Sequence, residues 1–479
     1  MQMTEYRESK IEREGTAYAL VRVGEQKLLR VHGNTEGFSG TAFQQEGASY
    51  LPLSAGNAAQ LRQRLPWLVP QPLPPQTSFG FGDRLGLATP GHIQAVRQSG
   101  IFPIFAQQSV RENARTGRTP QQVVDDALWG VFQAGWRAPW GADADHLKTP
   151  ADLAPFVAAG YTLYTIDPGA HVDNTAIHNT STTLAEKVKA LPWETLHDSP
   201  ERLRARYVER TFVLNGMTLT FREETLLRAA AKYGRAVAHT VVMAQAIAGL
   251  KHGDPFDLEV SVDETETPTW VEEHFYVANE LQRLGVRVGS LAPRLVGRFE
   301  KGVDYIGDLA TLARNLDEHA RIARHFQYRL SLHSGSDKVS VYPLLAASTR
   351  GFAHVKTAGT SYLEALRTIA HVNPQLFREI LTLARTRYPL DRASYHVSAE
   401  LTRVRDTEEL ADAQLPDLLN EFNAREVLHV TFGSVLAEFG KDIHTTLGAH
   451  EDEYATALQT HFAKHLAPFA ALSYKSQTL

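Results

Sequence analysis

The feature that most constrains the fold is an alternation of short apolar runs with longer stretches of helical periodicity. Residues 119–136 and 308–326 are two of those helical stretches. Eight candidate strands are centred near Phe79, Ile104, Asp145, Tyr164, Val260, Leu295, Leu332 and Val355. Strands that alternate with helices pair in parallel. Eight such units predict an α/β fold of the TIM type, a closed (β/α)8 barrel, with an open doubly wound sheet as the alternative.

The regions outside this alternation predict three additions to the barrel. Residues 1–76 form a small β-rich segment, because residues 17–31 alternate like a hairpin and residues 66–76 contain five prolines. The barrel domain then spans residues 77–479, with a helical insertion at about 168–256. After Gly359 a C-terminal extension follows, in which residues 360–370 resemble a helix and residues 426–433 resemble a strand.

Composition excludes several functions. The chain has no cysteine, so disulfides, thiolate ligands and cysteine nucleophiles are excluded, and a metal must be held by His, Asp, Glu or backbone oxygen. A net charge of -5 provides no basic surface for nucleic acid. No apolar run approaches the roughly 18 residues of a membrane span, and the charged N-terminus is no secretion signal. We therefore expect a cytoplasmic protein without membrane contact.

Polar residues collect where the predicted strands end. In TIM-type barrels the active site lies at the C-terminal ends of the strands, and buried polar groups are costly unless they serve each other or a ligand. The residues at these ends are Asp143, Asp145, His146, Asp167, Asp263, Glu264, Glu266, Glu300, Asp304, His333, Ser336, Asp337, His354 and Lys356. The sequence therefore predicts a polar site at this end of the barrel.

Two roles follow from the residue types. The predicted ligands of a divalent metal (Zn, Mn or Ni) are His146, Glu300 and His333, with Asp304 or Asp308 as rivals of Glu300. Asp308 is better explained as the N-cap of the next helix. The predicted acid/base groups are Asp145 and either Glu264 or Glu266. Asp145 and His146 are adjacent, so both face the cavity only at a strand end or a bulge.

The substrate contacts are predicted in two segments. Ser336 and Lys338 belong to the turn SGSDK, which suits an anion, and Lys356 lies in HVKTAG. These lysines predict a preference for an acidic sugar. Each residue also has a structural interpretation, as a core histidine, a helix cap or a surface charge. The chain contains no GxGxxG in a strand–helix unit, no GxxxxGK[ST] and no HExxH, which argues against a dinucleotide site, a P-loop and a zincin.

Long motifs in a fixed order resemble a known family. They include GFGDRLGLATPGH, WGVFQAGWRAPWGADADHLK, SVDETETPT, LSLHSGSDK and HVKTAGTSYLEALR, and the resemblance to the tagaturonate epimerase family runs from about residue 79 to 435. The resemblance implies interconversion of D-tagaturonate and D-fructuronate with a divalent metal. It also implies that some relatives act on the neutral pair D-tagatose and D-fructose.

The chemistry of this epimerisation favours carbon–carbon cleavage. The inverted carbinol is β to the ketone, so its hydrogen is not acidified. A base that takes the hydroxyl proton allows a retro-aldol cleavage, and a metal acting as a Lewis acid would stabilise the enediolate. A metal-dependent aldose–ketose isomerase on the same barrel is the alternative, and a non-catalytic sugar-binding protein is a further one. Assembly into a homo-oligomer is left open.

Overall fold

The N-terminal residues form a twisted antiparallel sheet. The computed structural model describes residues 3–476. The first elements are β1 (Met3–Glu5), β2 (Ile11–Arg13), β3 (Thr16–Val23), β4 (Gln26–His32), β5 (Phe43–Gln45), β6 (Ala48–Pro52) and α1 (Ala55–Arg64). The predicted hairpin is confirmed, because β3 and β4 pair antiparallel. Leu20, Leu29 and Leu61 belong to the same apolar core as the barrel, so the sheet packs on the barrel instead of standing apart.

The proline-rich stretch crosses the N-terminal end of the barrel. After a short turn at Pro66–Leu68 the chain is extended, as its prolines predict. The Leu73 amide donates to Asp257 Oδ2 at 2.6 Å, and Arg329 donates to the Gln76 carbonyl at 2.7 Å. Asp257 and Arg329 begin two barrel strands. This segment therefore covers the end of the barrel opposite the predicted site.

Eight parallel strands close into the predicted barrel. They are β7 (Ser78–Gly82), β8 (Phe102–Ser109), β9 (Gly141–Leu147), β10 (Leu163–Ile166), β13 (Asp257–Ser261), β14 (Ser290–Ala292), β15 (Arg329–Leu332) and β16 (Ala353–Thr357), whereas β11 (Thr211–Leu214) and β12 (Met217–Thr220) lie in the insertion. They follow one another around the barrel in chain order, and β16 pairs with β7. All eight predicted strands are confirmed, and an open sheet is wrong.

Helices surround the barrel strands. They are α2 (Thr89–Val96), α3 (Val110–Thr116), α4 (Pro120–Gln133), α5 (Leu153–Ala158), α8 (Glu223–Lys251), α9 (Val271–Arg283), α10 (Leu309–His325), α11 (Tyr342–Thr349) and α12 (Thr360–Val372). Asp308 caps α10, because its Oδ1 accepts from the Thr311 amide at 2.7 Å. The capping interpretation of Asp308 is confirmed, and its exposed side chain is not a rival ligand.

The insertion is shorter than the sequence predicted. Between β10 and the long helix α8 lie α6 (Ser181–Lys189), α7 (Pro200–Tyr207) and a hairpin of β11 (Thr211–Leu214) and β12 (Met217–Thr220). Helix α8 contacts both α5 and α9, so it serves as the barrel helix after the fourth strand. The inserted part therefore ends before Glu223 and is not purely helical.

The C-terminal extension is helical throughout its long elements. It contains α13 (Pro374–Asp391), α14 (Phe422–Val430), α15 (Phe432–Ala449) and α16 (Glu451–Ser476). The predicted strand at 426–433 is wrong, because these residues lie in α14 and α15. Val427, Leu428, Val430 and Phe432 are all buried, and a helix buried on every side shows the same continuous apolar run as a strand. Within residues 3–476, none of the helices combines the length and apolar character needed to cross a membrane.

Candidate active site

A bulge at the end of β9 turns two adjacent residues toward the cavity. Ala144 pairs with Tyr164 and Leu147 with Ile166, so Asp145 and His146 together oppose one residue of β10. His146 has a φ of 54°, in the left-handed region that residues other than glycine seldom adopt. An extra residue of this kind re-aims a side chain beside an active site. The bulge explains how both predicted residues line the same cavity.

The two predicted histidines converge with this aspartate. Nε2 of His146 and Nε2 of His333 are 2.8 Å apart, and Asp145 Oδ1 lies 3.5 Å from His333 Nε2. Each ring is held by a carboxylate at its other nitrogen: His146 Nδ1 is 3.1 Å from Asp167 Oδ2, and His333 Nδ1 is 3.1 Å from Glu259 Oε1. We call Asp145, His146 and His333 the His/Asp cluster; their donor atoms could hold one metal ion.

A buried lysine contacts the His/Asp cluster and two neighbouring carboxylates. Lys356 Nζ lies 2.8 Å from Asp143 Oδ2, 2.9 Å from Asp145 Oδ1 and 3.2 Å from Glu259 Oε1. Burial lowers the pKa of Lys356, but the three carboxylates outweigh it and raise that pKa. Burial raises the pKa of Glu259, while Lys356 and His354 hold it well below its usual range. Lys356 therefore neutralises three carboxylates of the protein, and because it also lines the cavity, its contact with substrate stays a prediction.

The carboxylates in and around the His/Asp cluster favour positively charged groups at this position. Burial alone lowers the pKa of His146, but Asp145 and the hydrogen bond with Asp167 raise it to about 9. For Asp145, burial raises the pKa and Lys356 lowers it, with a net lowering. A carboxylate with a lowered pKa is a weak proton acceptor, although it remains a good metal ligand. Its electrostatics therefore suit Asp145 to coordination better than to proton transfer.

Glu300, the third predicted ligand, lies apart from this cluster. The sixth strand is predicted to be centred near Leu295, whereas β14 ends at Ala292 before Pro293, which cannot continue the ladder. Glu300 is consequently in the long loop before α10. Its Oε2 accepts from Ser398 of the C-terminal extension, from the amide at 2.9 Å and from Oγ at 2.7 Å. In the described part of the chain it is no member of the His/Asp cluster, although it lines the cavity.

The other predicted acids separate into different environments. Asp304 accepts from Oγ of Ser340 at 2.9 Å and has an exposed side chain, so it anchors a loop. Glu266 is exposed, and its amide donates to Asn174 at 3.2 Å. Glu264 lies 3.2 Å from Lys301 and close enough to His146 to raise the pKa of that ring. Of the two predicted glutamates, Glu264 is the one near the cavity.

The SGSDK turn has its polar groups turned inward. Lys338 is buried, and its Nζ donates to the carbonyls of Glu300 at 2.7 Å and Ser336 at 2.8 Å, as well as to Val303. Burial lowers the pKa of Lys338 to about 8. The ammonium of Lys338 is thus bound by carbonyls of the protein, and its contact with a substrate anion stays a prediction. Ser336 Oγ accepts from the Gly359 amide at 3.4 Å and lines the cavity, so it stays a candidate contact.

A pair of buried glutamates ties the extension to the barrel. Glu426 Oε2 accepts from the amides of Ser398 at 3.1 Å and Ala399 at 2.8 Å, beside Glu300 on the same amide. Burial and the neighbouring Glu300 raise the pKa of Glu426 to about 8. The unfolded chain, with an ordinary glutamate pKa near 4.3, releases this proton first. Stability contributed by the protonated pair is thus lost as pH rises from about 4.3 to about 8.

We expect Glu426→Gln to remove this loss of stability at rising pH, because the amide side chain is neutral in both the folded and the unfolded protein. The unfolding temperature of the variant relative to the wild type should rise by a few degrees between pH 5 and pH 9. Thermal unfolding followed by circular dichroism measures the difference, with the exposed Glu438→Gln as control. A difference in unfolding temperature that does not change with pH would contradict the interpretation that the pair of glutamates holds a proton in the folded protein.

Several residues of the site are not predicted from the sequence. Glu259 sits in the middle of β13 on the same face as Asp257 and Ser261, and a glutamate in an apolar strand was the available signal. Arg111, Lys301 and Tyr395 also line the cavity. They come from α3, a loop and the C-terminal extension, so no local pattern connects them.

The closed parallel barrel has a polar cavity at the C-terminal ends of its strands, and histidines and carboxylates converge in that cavity. These features define a (β/α)8-barrel protein of the type found among enzymes. The family model for tagaturonate epimerase matches residues 6–469. A tagaturonate/fructuronate epimerase from Thermotoga maritima is 45% identical over 470 residues, which is 96% of each protein. The chain belongs to the tagaturonate epimerase family.

Solved structures agree with this assignment. The native structure of the fructuronate-tagaturonate epimerase UxaE from Cohnella laeviribosi superposes with a TM-score of 0.93 at 38% identity, covering 98% of this chain and 96% of that one. A complex of the same enzyme with one glycerol gives the same values. The predicted resemblance is confirmed, and it extends over the N-terminal sheet and most of the C-terminal extension.

Proposed function

We propose that this protein is an epimerase that interconverts D-tagaturonate and D-fructuronate with the help of a divalent metal held by the His/Asp cluster. Family membership supports the substrate pair, because the relatives described above carry that activity in their names. The observation that carries the metal assignment is the 2.8 Å approach of the two Nε2 atoms of His146 and His333.

The donor chemistry of the cluster fits a cation. Asp167 and Glu259 lie at Nδ1 of the two rings, and when they accept the Nδ1 protons each Nε2 has a lone pair free for a metal. Two Nε2 atoms 2.8 Å apart need a proton or a metal ion between them, and a bound divalent ion would replace the proton. With the carboxylate of Asp145, two imidazoles form a set that suits Zn, Mn or Ni. Asp145, His146 and His333 are thus the residues that would hold the ion.

Epimerisation by cleavage divides the remaining work among the protein's own residues. A bound divalent ion would supply Lewis-acid stabilisation of the negative charge that develops on the ketone oxygen. Asp145 has Oδ1 on Lys356 at 2.9 Å and Oδ2 on Gln107 at 3.2 Å, so it has little capacity to accept a proton. Glu264 lies in a loop with a side chain that is 36% exposed, and it is our candidate for taking the hydroxyl proton of the inverted carbinol once its ion pair with Lys301 is broken. This moves the acid/base role from the expected Asp145 to Glu264.

The function is tested with four sugars and defined metals. Metal-depleted protein is reconstituted singly with Zn, Mn and Ni, and each form is incubated with tagaturonate, fructuronate, tagatose and fructose. We expect the uronates to interconvert only when a metal is present. A product whose carbonyl has moved along the chain would identify an aldose–ketose isomerase, and full turnover without metal would refute the metal assignment.

The cleavage route makes a second prediction, in deuterated water. In cleavage the carbon–hydrogen bond at the inverted carbon survives as the aldehyde hydrogen, and only the hydroxyl proton is transferred. A reaction run to equilibrium in D2O should therefore give product without deuterium at that carbon, as read by NMR. Stoichiometric deuterium at the inverted carbon would refute cleavage and indicate direct deprotonation. Released NAD on denaturation, with no deuterium incorporated, would indicate a redox route.

A further inference from the structure

The cavity contains two kinds of cation, and only one kind is accessible. Lys356 and Lys338 each have side chains that are 1% exposed and bind carboxylates or carbonyls of the protein. Arg111 and Lys301 line the same cavity with side chains that are 37% and 24% exposed. A ligand that enters the cavity therefore meets Arg111 and Lys301 as available positive charges.

These two cations lie beside the His/Asp cluster. Lys301 Nζ is 3.4 Å from Oγ of Ser334, the residue after His333. The guanidinium of Arg111 lies over the ring of Tyr395 at 5.0 Å, which fixes its plane without using its N–H donors. A planar guanidinium with donors to spare suits a carboxylate. Arg111 and Lys301 are thus placed to bind the acidic end of a sugar acid whose other end reaches the His/Asp cluster.

One carboxylate of the protein lies between these cations. Glu264 Oε1 is 3.2 Å from Lys301 Nζ and 3.9 Å from Arg111 Nη2, the latter beyond hydrogen-bonding distance. Glu264 follows β13 in a loop, and its side chain is 36% exposed. A partly exposed ion pair of this kind is worth little and can be exchanged. Lys301 lowers the pKa of Glu264, so in this position Glu264 is a weak base.

We propose that Arg111 and Lys301 form the subsite for the terminal carboxylate of the sugar acid, and that Glu264 occupies this subsite until the substrate displaces it. This inference rests on the proposed function and adds the basis of its substrate selection. A uronate that takes over the two cations releases Glu264 toward the reacting hydroxyl. A neutral ketose has no charge with which to displace Glu264, so that glutamate stays paired.

The test uses two non-reacting ligands of the same length, D-gluconate and D-glucitol, which differ by a carboxylate in place of a CH2OH. Neither has a ketone, so binding to metal-loaded protein is measured by calorimetry without turnover. The variants are Arg111→Gln, Lys301→Gln and Glu264→Gln. Arg204→Gln is the control, because Arg204 is 61% exposed, pairs with Glu223 and is not among the residues lining the cavity in the described part of the chain.

We expect Arg111→Gln and Lys301→Gln each to weaken gluconate binding by about 10- to 100-fold and glucitol binding by less than about threefold. Glu264→Gln should tighten gluconate binding severalfold, because the competing carboxylate is gone. In the kinetic arm, the ratio of kcat/KM for tagaturonate to that for tagatose should fall in the Arg111 and Lys301 variants. Thermal unfolding checks that each variant is folded, and Arg111→Lys should restore part of the selectivity.

Several outcomes would overturn the subsite. Equal losses for gluconate and glucitol would show a merely structural role, and an equal loss in Arg204→Gln would show a general charge effect. Gluconate binding that survives both substitutions but requires the metal would place its carboxylate on the ion instead. Because calorimetry needs no turnover, a wild-type protein inactive on all four sugars would refute the proposed function while the binding result still decides the subsite.

Discussion

His333→Ala is expected to lose its bound divalent metal and to lower kcat by about 10³-fold or more. The substitution removes one of the two imidazoles of the cluster. Nε2 of His146, which lies 2.8 Å from Nε2 of His333, then has lost that partner. Lewis-acid stabilisation of a developing charge is worth several kcal/mol, and each factor of ten in rate corresponds to about 1.36 kcal/mol. Metal content after dialysis and steady-state kinetics on tagaturonate measure the two effects.

A matched histidine controls for general damage. His325 is exposed at the end of α10, next to the N-terminal end of β15 and so on the opposite side of the barrel. His325→Ala should keep its metal and its activity. An unchanged unfolding temperature in the presence of chelator would show that both variants fold alike. Full metal content and normal kcat in His333→Ala would mean that the cluster is not the site.

The barrel could be predicted because its strands carry a strong local signal. Each strand is a short apolar run between helical stretches, and the count of eight selects closure. The sequence failed where local pattern and tertiary environment diverge. Residues 424–430 of α14 are all buried, so this helix is buried on every face there and its sequence resembles that of a strand. The end of β14 was also placed too late, since Pro293 interrupts a run that is otherwise apolar.

The candidate site was predictable only as far as it follows strand ends. His146 and His333 were found because strand ends converge in a parallel barrel. Glu300 was lost with the wrong end of β14, and Asp145 took its place in the cluster through a bulge that no periodicity reveals. Lys356, Asp143 and Asp145 were recognised as site residues, but Glu259 and the ion pairs that join these groups were not. Whether a lysine meets a ligand or the protein depends on depth, which sequence spacing does not encode.

Lys356→Met is expected to destabilise the fold by about 3–5 kcal/mol, the cost of breaking a buried ion pair by removing one partner. Methionine is unbranched and of similar length, so it keeps most of the volume and isolates the loss of charge. The substitution leaves Asp143, Asp145 and Glu259 buried without their shared cation, which lies within 3.2 Å of all three. Urea unfolding of metal-free protein followed by circular dichroism measures the change.

Lys338→Met provides the control that separates charge from burial. Lys338 is equally buried, at 1% exposure, but its ammonium contacts neutral carbonyls, including those of Glu300 and Ser336. Losing these contacts should cost about 1–3 kcal/mol, the penalty for unsatisfied polar groups.

Without Lys356 the carboxylates repel one another, so their pKa values rise and acid should neutralise them. The deficit of Lys356→Met relative to wild type should therefore shrink from pH 8 to pH 5, whereas that of Lys338→Met should not follow this trend. Equal costs at both pH values would show that the barrel interior tolerates three unpaired carboxylates, and the role of Lys356 as their counter-ion would be wrong.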